Sequence, residues 1–294
     1  MVPILLTLCT PRQLPRLRGP SNVRGVGGNC REVGVGWAEN GYDLSIMRIE
    51  LDLAPGVHRI EHAYTNCYVI ADDEGVTLVD AGFPSTGQAV IDCLAAIGRQ
   101  TTDIKALLLT HGHFDHVGFA RGLHESLGVP VWVHPDDRRL AAHPYRYRPQ
   151  QNRFAFPLRH RRSWPILGAM AAAGALAVRG VDADQTYGDD EVIAVPGRPR
   201  AVHTPGHTWG QSVFHLPQRD VLISGDALVT LDPYTGLRGP RLVAPAATSD
   251  TGKAYAALNR LVDLEARLVL PGHGDPWLEG TGSAVAEARH NSRP

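Results

Sequence analysis

From Val57 onward, apolar residues recur in short runs bounded by Gly, Pro and Asp, and the period alternates between two residues and about three and a half. Val57 to His62, Cys67 to Ala71 and Val76 to Val79 read as successive strands, with Asp72 to Gly75 as a turn. Thr86 to Ile97 sets Val90, Ile91, Leu94 and Ile97 at helical spacing, and Gly98 supplies the stop. Ile104 to Leu109 predicts a buried strand, Val117 to Leu127 a helix closed by Gly128, and Val131 to His134 another strand. Later strands are expected around Arg200 to His203, Gln211 to Leu216, Val221 to Ser224 and Arg267 to Leu270, with a helix from about Gly252 to Leu264. The early hairpin-like strands suit two sheets flanked by helices better than a doubly wound parallel sheet. Pattern alone does not fix that architecture.

Two stretches fall outside the alternation. Residues 1–46 carry a short apolar run, Val2 to Cys9, followed by sequence rich in Gly, Pro and Arg with little periodicity. The run lacks a preceding cationic region and a small-residue cleavage site, and it is too short to span a bilayer. Residues 1–46 therefore read as a disordered extension, with Met47 as a candidate start and residues 47–294 as one domain.

The second stretch is an insert at 135–180. Arg138, Arg139, Arg146, Arg148, Arg153, Arg159, Arg161 and Arg162 lie in a segment without Asp or Glu, interleaved with Tyr145, Tyr147, Phe154 and Phe156. An apolar run from Pro165 to Val178 follows, too short for an integral membrane span. One reading is a lid with a cationic collar and a greasy inner face, suited to an acyl or anionic amphiphilic small molecule. The plainer reading is a packed helical hairpin with a solvated basic face. Peripheral contact with anionic lipid is a third.

Composition narrows the class. In 294 residues, 43% are hydrophobic, 20% are charged and the net charge is -1, values ordinary for a globular protein. That balance gives no global attraction to nucleic acid. Cys9, Cys30, Cys67 and Cys93 form no C-x-x-C pair, and Cys67 and Cys93 sit in apolar patterns, so both read as reduced core residues in a cytoplasmic protein.

The candidate chemistry lies at strand ends. Thr110-His111-Gly112-His113-Phe114-Asp115-His116 follows the Ile104 to Leu109 strand and places three imidazoles and a carboxylate within six residues. His111 and His113, two apart, point to the same side of an extended segment, whereas Asp115 and His116 fall where the chain turns. Zn²⁺ and similar ions favour such nitrogen and oxygen donors. His207, Asp226 and His273 each follow a further β-type run and sit beside Gly or Pro.

The order H-x-H-x-D-H, then His, Asp and His, resembles the metallo-β-lactamase fold superfamily, in particular its glyoxalase II-like binuclear metal hydrolases, over roughly residues 57 to 277. The resemblance implies a four-layer αββα sandwich. It also implies two Zn²⁺ per chain, with iron or manganese as alternative ions: His111, His113 and His207 around one, Asp115, His116 and His273 around the other, and Asp226 bridging. In Thr77-Leu78-Val79-Asp80-Ala81-Gly82, Asp80 is then expected behind the ligands, or else as a plain turn former before Gly82.

A centre of this kind implies hydrolysis of an ester, thioester, lactone or amide by a metal-activated water. Asp226 would fix the metal separation and Asp115 would relay a proton. Four departures leave the substrate open. Asp226 stands where classical zinc β-lactamases of the three-His/Cys type carry Cys. Only 21 residues follow His273, so the helical glutathione-binding domain of glyoxalase II is missing. Tyr234 lies eight residues past Asp226, further than in quorum-type lactonases. RNA-binding elements of processing nucleases are absent beyond the arginine insert. Two rival readings remain: a mononuclear iron persulfide dioxygenase, and a non-catalytic binding module that retains a metal site. His58, His62, His124, His134, His143, His160 and His290 lack ligand-rich surroundings, His215 reads as structural, and His203 as either a pocket neighbour or a surface residue.

Overall fold

The computed structural model describes residues 47–292. The expected extension over residues 1–46 lies outside them. Four strands come first, β1 (Met47–Ala54), β2 (Val57–His62), β3 (Thr65–Asp72) and β4 (Gly75–Val79), each antiparallel to the next. Then come α1 (Gly87–Ala96), β5 (Ile104–Leu108), α2 (Ala120–Leu127), β6 (Val131–Val133), the insert helices α3 (Arg138–Ala142) and α4 (Trp164–Ala172), and β7 (Gln185–Thr186). The run β4-β5-β6-β7 is parallel and completes a seven-stranded sheet in the order β1 to β7.

The second half supplies β8 (Arg200–His203), β9 (Ser212–Leu216), β10 (Val221–Gly225), β11 (Val229–Leu231), β12 (Arg238–Arg241), α5 (Thr251–Val262), β13 (Leu268–Pro271) and α6 (Gly280–Asn291). Its four-stranded sheet runs β13-β10-β9-β8, and β11 pairs with β12 alone.

Period-2 patterning distributes these strands among three apolar layers. Val69, Leu78 and Leu107 face outward onto Val90, Cys93 and Leu94 of α1. Their neighbours Tyr68, Ile70, Val79 and Leu108 face inward and meet Phe214, Leu216, Ile223 and Leu270 of the other sheet. Val213, Leu222 and Val269 face the far side, onto Leu258 and Leu261 of α5 and Val285 of α6. Helix, sheet, sheet, helix is thus the αββα sandwich, and each fully buried Leu, Ile or Phe adds ~1.5–3 kcal/mol of transfer free energy to it. Cys67 and Cys93 are buried free thiols, their pKa values raised by burial, Cys93's to about 12.

Where local pattern and structure differ, a tertiary contact decides. The helix expected from Val117 begins at Ala120, because Gly118 and Phe119 donate their N–H groups to Gly82 and Ala81. The apolar run expected as a helix to Val178 ends at Ala172. There Gly174 takes φ 100° and Ala175 N–H returns to the Met170 carbonyl, a left-handed stop that favours glycine. No helix among the described residues is long and apolar enough to cross a membrane.

Candidate metal centre

All seven candidate residues occupy one rim of the sandwich, where the two sheets meet. His111, His113, Asp115 and His116 follow β5, His207 lies in the β8–β9 connection, Asp226 follows β10 and His273 follows β13. Every one of them is buried. Donor atoms of His111, His113 and His207 lie within 4.8 Å of one another, as do those of Asp115, His116 and His273, and those of His111, His116 and Asp226. Asp226 thus shares a grouping with one ring from each of the other two, His111 and His116.

Backbone geometry permits the approach. Gly225 adopts φ 49° and turns the chain at the end of β10, aiming the next residue, Asp226, at the centre. A Cβ on Gly272 would lie 2.2 Å from Asp226 Oδ1, so only glycine lets the His273 loop close over that carboxylate.

Four imidazoles are oriented from behind. Asp80 Oδ2 accepts from His116 Nδ1 at 2.8 Å and from the Thr110 hydroxyl at 2.8 Å. With its proton so committed, Thr110 Oγ1 accepts from His111 Nδ1 at 3.1 Å. Thr248 gives its hydroxyl proton to the Val243 carbonyl and accepts from His207 Nδ1 at 3.2 Å. His273 Nδ1 donates to the Tyr64 carbonyl at 2.8 Å. A neutral imidazole whose Nδ1 carries the proton presents a bare lone pair at Nε2.

The Nε2 atoms of these four rings converge on a carboxylate, and His207 Nε2 also lies 3.0 Å from His113 Nδ1. Nε2 of His207, His273 and His111 lies 3.3, 3.4 and 4.0 Å from Asp226 Oδ2, and Nε2 of His116 lies 3.6 Å from Oδ1. A neutral ring's lone pair facing a buried carboxylate repels it, so each Nε2 must either carry a proton or meet a cation there. Nine buried side-chain atoms among the described residues have no hydrogen-bond partner. Five of them, His111 Nε2, His113 Nε2, His116 Nε2, His273 Nε2 and Asp226 Oδ1, belong to this cluster. Such a concentration of orphaned donor atoms fits a metal site.

The charge balance divides the cluster in the same way. Burial holds His111 and His113 well below the ordinary imidazole range and brings His207 to about 4, which favours the neutral ring that ligation requires. Burial also opposes charge on His116, but the carboxylates of Asp80 and Asp226 outweigh it and lift the value to about 9. Burial is likewise outweighed at His273, which Asp226 and Asp115 raise well above its usual value. Burial disfavours the charged carboxylate of Asp226, yet the surrounding imidazoles, His273 and His116 foremost, hold it well below the usual range.

Sequence reading singled out Asp80, and the structure gives it both of the roles considered. Its backbone turns at φ 61°, and its carboxylate accepts from Thr110 N–H at 2.7 Å as well as from Thr110 Oγ1 and His116. Two supports were missed. Asp137, buried just past β6, accepts from Gly112 N–H at 2.9 Å, Thr208 Oγ1 at 2.6 Å and Gly210 N–H at 2.8 Å, joining the His111 and His207 loops. Asn66 Nδ2 donates to the carbonyls of Pro271 and Gly274 at 2.8 Å each, Tyr68 OH to Pro271 at 2.6 Å and buried Arg59 to Gly274 at 3.1 Å, so the first sheet grips the His273 loop. The acidic pair Asp136-Asp137 and the polar residues breaking the apolar β2 and β3 patterns were the available signals.

The remaining histidines stay apart from the centre. His203 is half-buried, stacks on His134 with ring centroids 4.0 Å apart and donates to the Trp209 carbonyl. His134, Asp136 and His203 form a separate grouping, less buried than the centre, with donor atoms within 4.8 Å of one another. His215 is buried and donates to the Glu265 carbonyl. His62 sits against Thr86 Oγ1 at 2.9 Å, and His58 accepts the Asp52 N–H.

Comparison with known proteins agrees with this architecture. The chain is 29% identical over 238 residues to a probable metallo-hydrolase of Bacillus subtilis, YflN, covering 76% of this chain and 86% of that one. It is 30% identical over 232 residues to the uncharacterised protein Rv2581c of Mycobacterium tuberculosis, covering 77% and 91%. Among solved structures, the metallo-beta-lactamase family protein TTHA1429 of Thermus thermophilus superposes with TM-score 0.57 at 27% identity, covering 80% of this chain and 78% of that one. TTHA1623, solved in a di-iron-bound form, superposes with TM-score 0.52 at 26% identity, covering 77% and 94%. The family model of the metallo-beta-lactamase superfamily matches residues 61–273, a span that contains all seven converging side chains, and the chain belongs to that superfamily.

Proposed function

We propose that the protein is a hydrolase that cleaves a carbonyl compound, an ester, thioester, lactone or amide, at a centre of two divalent metal ions, zinc in the first instance. His111, His113 and His207 would hold one ion, Asp115, His116 and His273 the second, and Asp226 would contact both. When bound, such ions lower the pKa of water toward ~7 and polarise a carbonyl oxygen. The observation that carries the reading is the convergence of four Nε2 atoms on the Asp226 carboxylate, with Nδ1 of each ring held by an oxygen.

The chain's own residues do the rest. Asp80, Thr110, Thr248 and the Tyr64 carbonyl fix the proton of each ring on Nδ1, so no imidazole needs to reorganise during turnover. Asp115 Oδ2, 3.4 Å from His273 Nε2 and lining the hollow beside the cluster, is the carboxylate placed to take a proton from the attacking water and deliver it to the leaving group. Loss of solvent around the cluster strengthens each of these interactions.

The test is a panel of thioester, lactone, aryl ester and phosphodiester substrates offered to metal-quantified protein, with a chelator control. Carbonyl hydrolysis that falls with chelation and returns with zinc supports the reading. One iron per chain, with oxygen consumption on a persulfide, would replace it with the dioxygenase alternative. Retained metal with no turnover of any class would favour a binding module.

A further inference from the structure

Beside the candidate centre the insert encloses a cavity of about 570 Å³, within the range of ~300–1,000 Å³ usual for small-molecule sites. Phe114, Tyr147 and Tyr234 line both this chamber and the hollow at the metal cluster, so the two spaces share a wall. Tyr147 and Tyr234 form a neck, their hydroxyls 3.4 Å apart, and the Tyr147 ring packs against His113 with centroids 4.1 Å apart. Leu167, Met170, Ala171 and Leu176 line the far side. No carboxylate lines the chamber, and its one cation, Arg153, is already engaged. The Arg153 guanidinium donates to the Tyr145 carbonyl at 3.1 Å and lies 4.9 Å from the Tyr147 ring centroid.

The other eight arginines of the insert are exposed, so the collar suggested by sequence reduces to Arg153. Two exposed apolar side chains of the insert stand at the mouth: Phe154 and Leu176, both of which line the chamber, are 76% and 84% exposed. An open, mostly apolar chamber whose one cation is engaged suits hydrocarbon, and its narrow end leads to the polar cluster.

We propose that this chamber holds the hydrocarbon tail of a medium-length straight-chain acyl substrate, with Tyr147 and Tyr234 threading its carbonyl end toward the metal cluster. The proposal deepens the hydrolase reading and rests on it for the reaction, though not for the binding of the tail.

The experiment has two arms on the purified full chain. In the first, kcat/KM is measured on p-nitrophenyl acetate, butyrate, octanoate and decanoate. Each buried methylene is worth about fourfold at most, so activity should climb steeply along the series before levelling. Ala171→Trp, at an exposed position of α4 lining the chamber, should reduce the octanoyl-to-acetyl ratio at least tenfold. Leu176→Asp, at the mouth, should lower the same ratio by a smaller factor.

In the second arm, octan-1-ol, a tail without a metal-binding carboxylate, is titrated calorimetrically. Saturable single-site binding, weakened by Ala171→Trp, is expected. If no ester turns over but octanol binds and the variant weakens it, the chamber stands and the hydrolase reading falls. A flat chain-length profile with no saturable octanol binding overturns the chamber and leaves the hydrolase reading in place.

Discussion

The candidate metal centre and the chamber beside it share a wall yet are built by opposite physics. At the centre, four rings are held by hydrogen bonds that their Nδ1–H groups donate to Asp80, Thr110, Thr248 and the Tyr64 carbonyl, and the loops carrying them are tied in turn by Asp137 and Asn66. These interactions are directional and buried, so each donor atom has one position, and a missing partner is costly. At the chamber, Ile166, Ala169, Met170 and Ala173 of the insert pack on Ala63, Phe83 and Leu231 through non-directional apolar contact, beside hydrogen bonds such as Tyr145 OH to the Ala175 carbonyl at 2.7 Å. Apolar packing tolerates exchange of shape. The contrast suggests that reaction chemistry is fixed by the polar rim while the substrate is chosen by the insert, and each half can be perturbed separately.

The largest effect is expected from Asp226→Ala. It removes the carboxylate between both triads, so turnover should vanish and bound metal should fall, while far-UV circular dichroism stays native. Retained activity would contradict the bridging assignment. Next in size is Asp80→Asn. Its carboxamide cannot accept from Thr110 N–H, Thr110 Oγ1 and His116 Nδ1 as a carboxylate does, and metal affinity or kcat/KM should fall by about 10–100-fold. Titration against a fluorescent zinc chelator measures the affinity.

Asn66→Ala should follow. It removes two donors from the carbonyls of Pro271 and Gly274, which keep Tyr68 and Arg59 respectively, and denaturant unfolding should register a loss of about 1–3 kcal/mol. The smallest effect belongs to the insert surface. Leu158→Ser, at a side chain 70% exposed, should stay within about 0.5 kcal/mol of the parent in the same experiment. If Leu158→Ser destabilised the chain more than Asn66→Ala, the division into a rigid rim and a tolerant lid would fail.

The same division explains what could be read from sequence. The strands flanking the centre were legible because burial on both faces gives short apolar runs, and the ligand candidates because His and Asp are costly to bury without a purpose. Strand β7 pairs through two residues, Gln185 and Thr186, too few to set a period. Helix α6 carries Gly280 and Gly282 and a weak apolar stripe, so its helicity comes from packing of Ala284, Val285 and Ala288 against the second sheet. Asp137 and Asn66 were hidden because their partners are backbone groups, Gly112 and Gly210 for one, Pro271 and Gly274 for the other, 25 to 208 residues away. The chamber was anticipated only as a greasy face: which residues wall it depends on the break at Gly174 and on Tyr234, contributed from the opposite half of the chain.

The most direct measurement is anomalous diffraction at the zinc edge from crystals of the protein as purified in zinc. Two peaks are expected, one within ~2.0–2.1 Å of nitrogens of His111, His113 and His207, the other at that distance from nitrogens of His116 and His273, with Asp226 contacting both. A single peak, or strong density elsewhere with the seven side chains bare, would contradict the binuclear assignment.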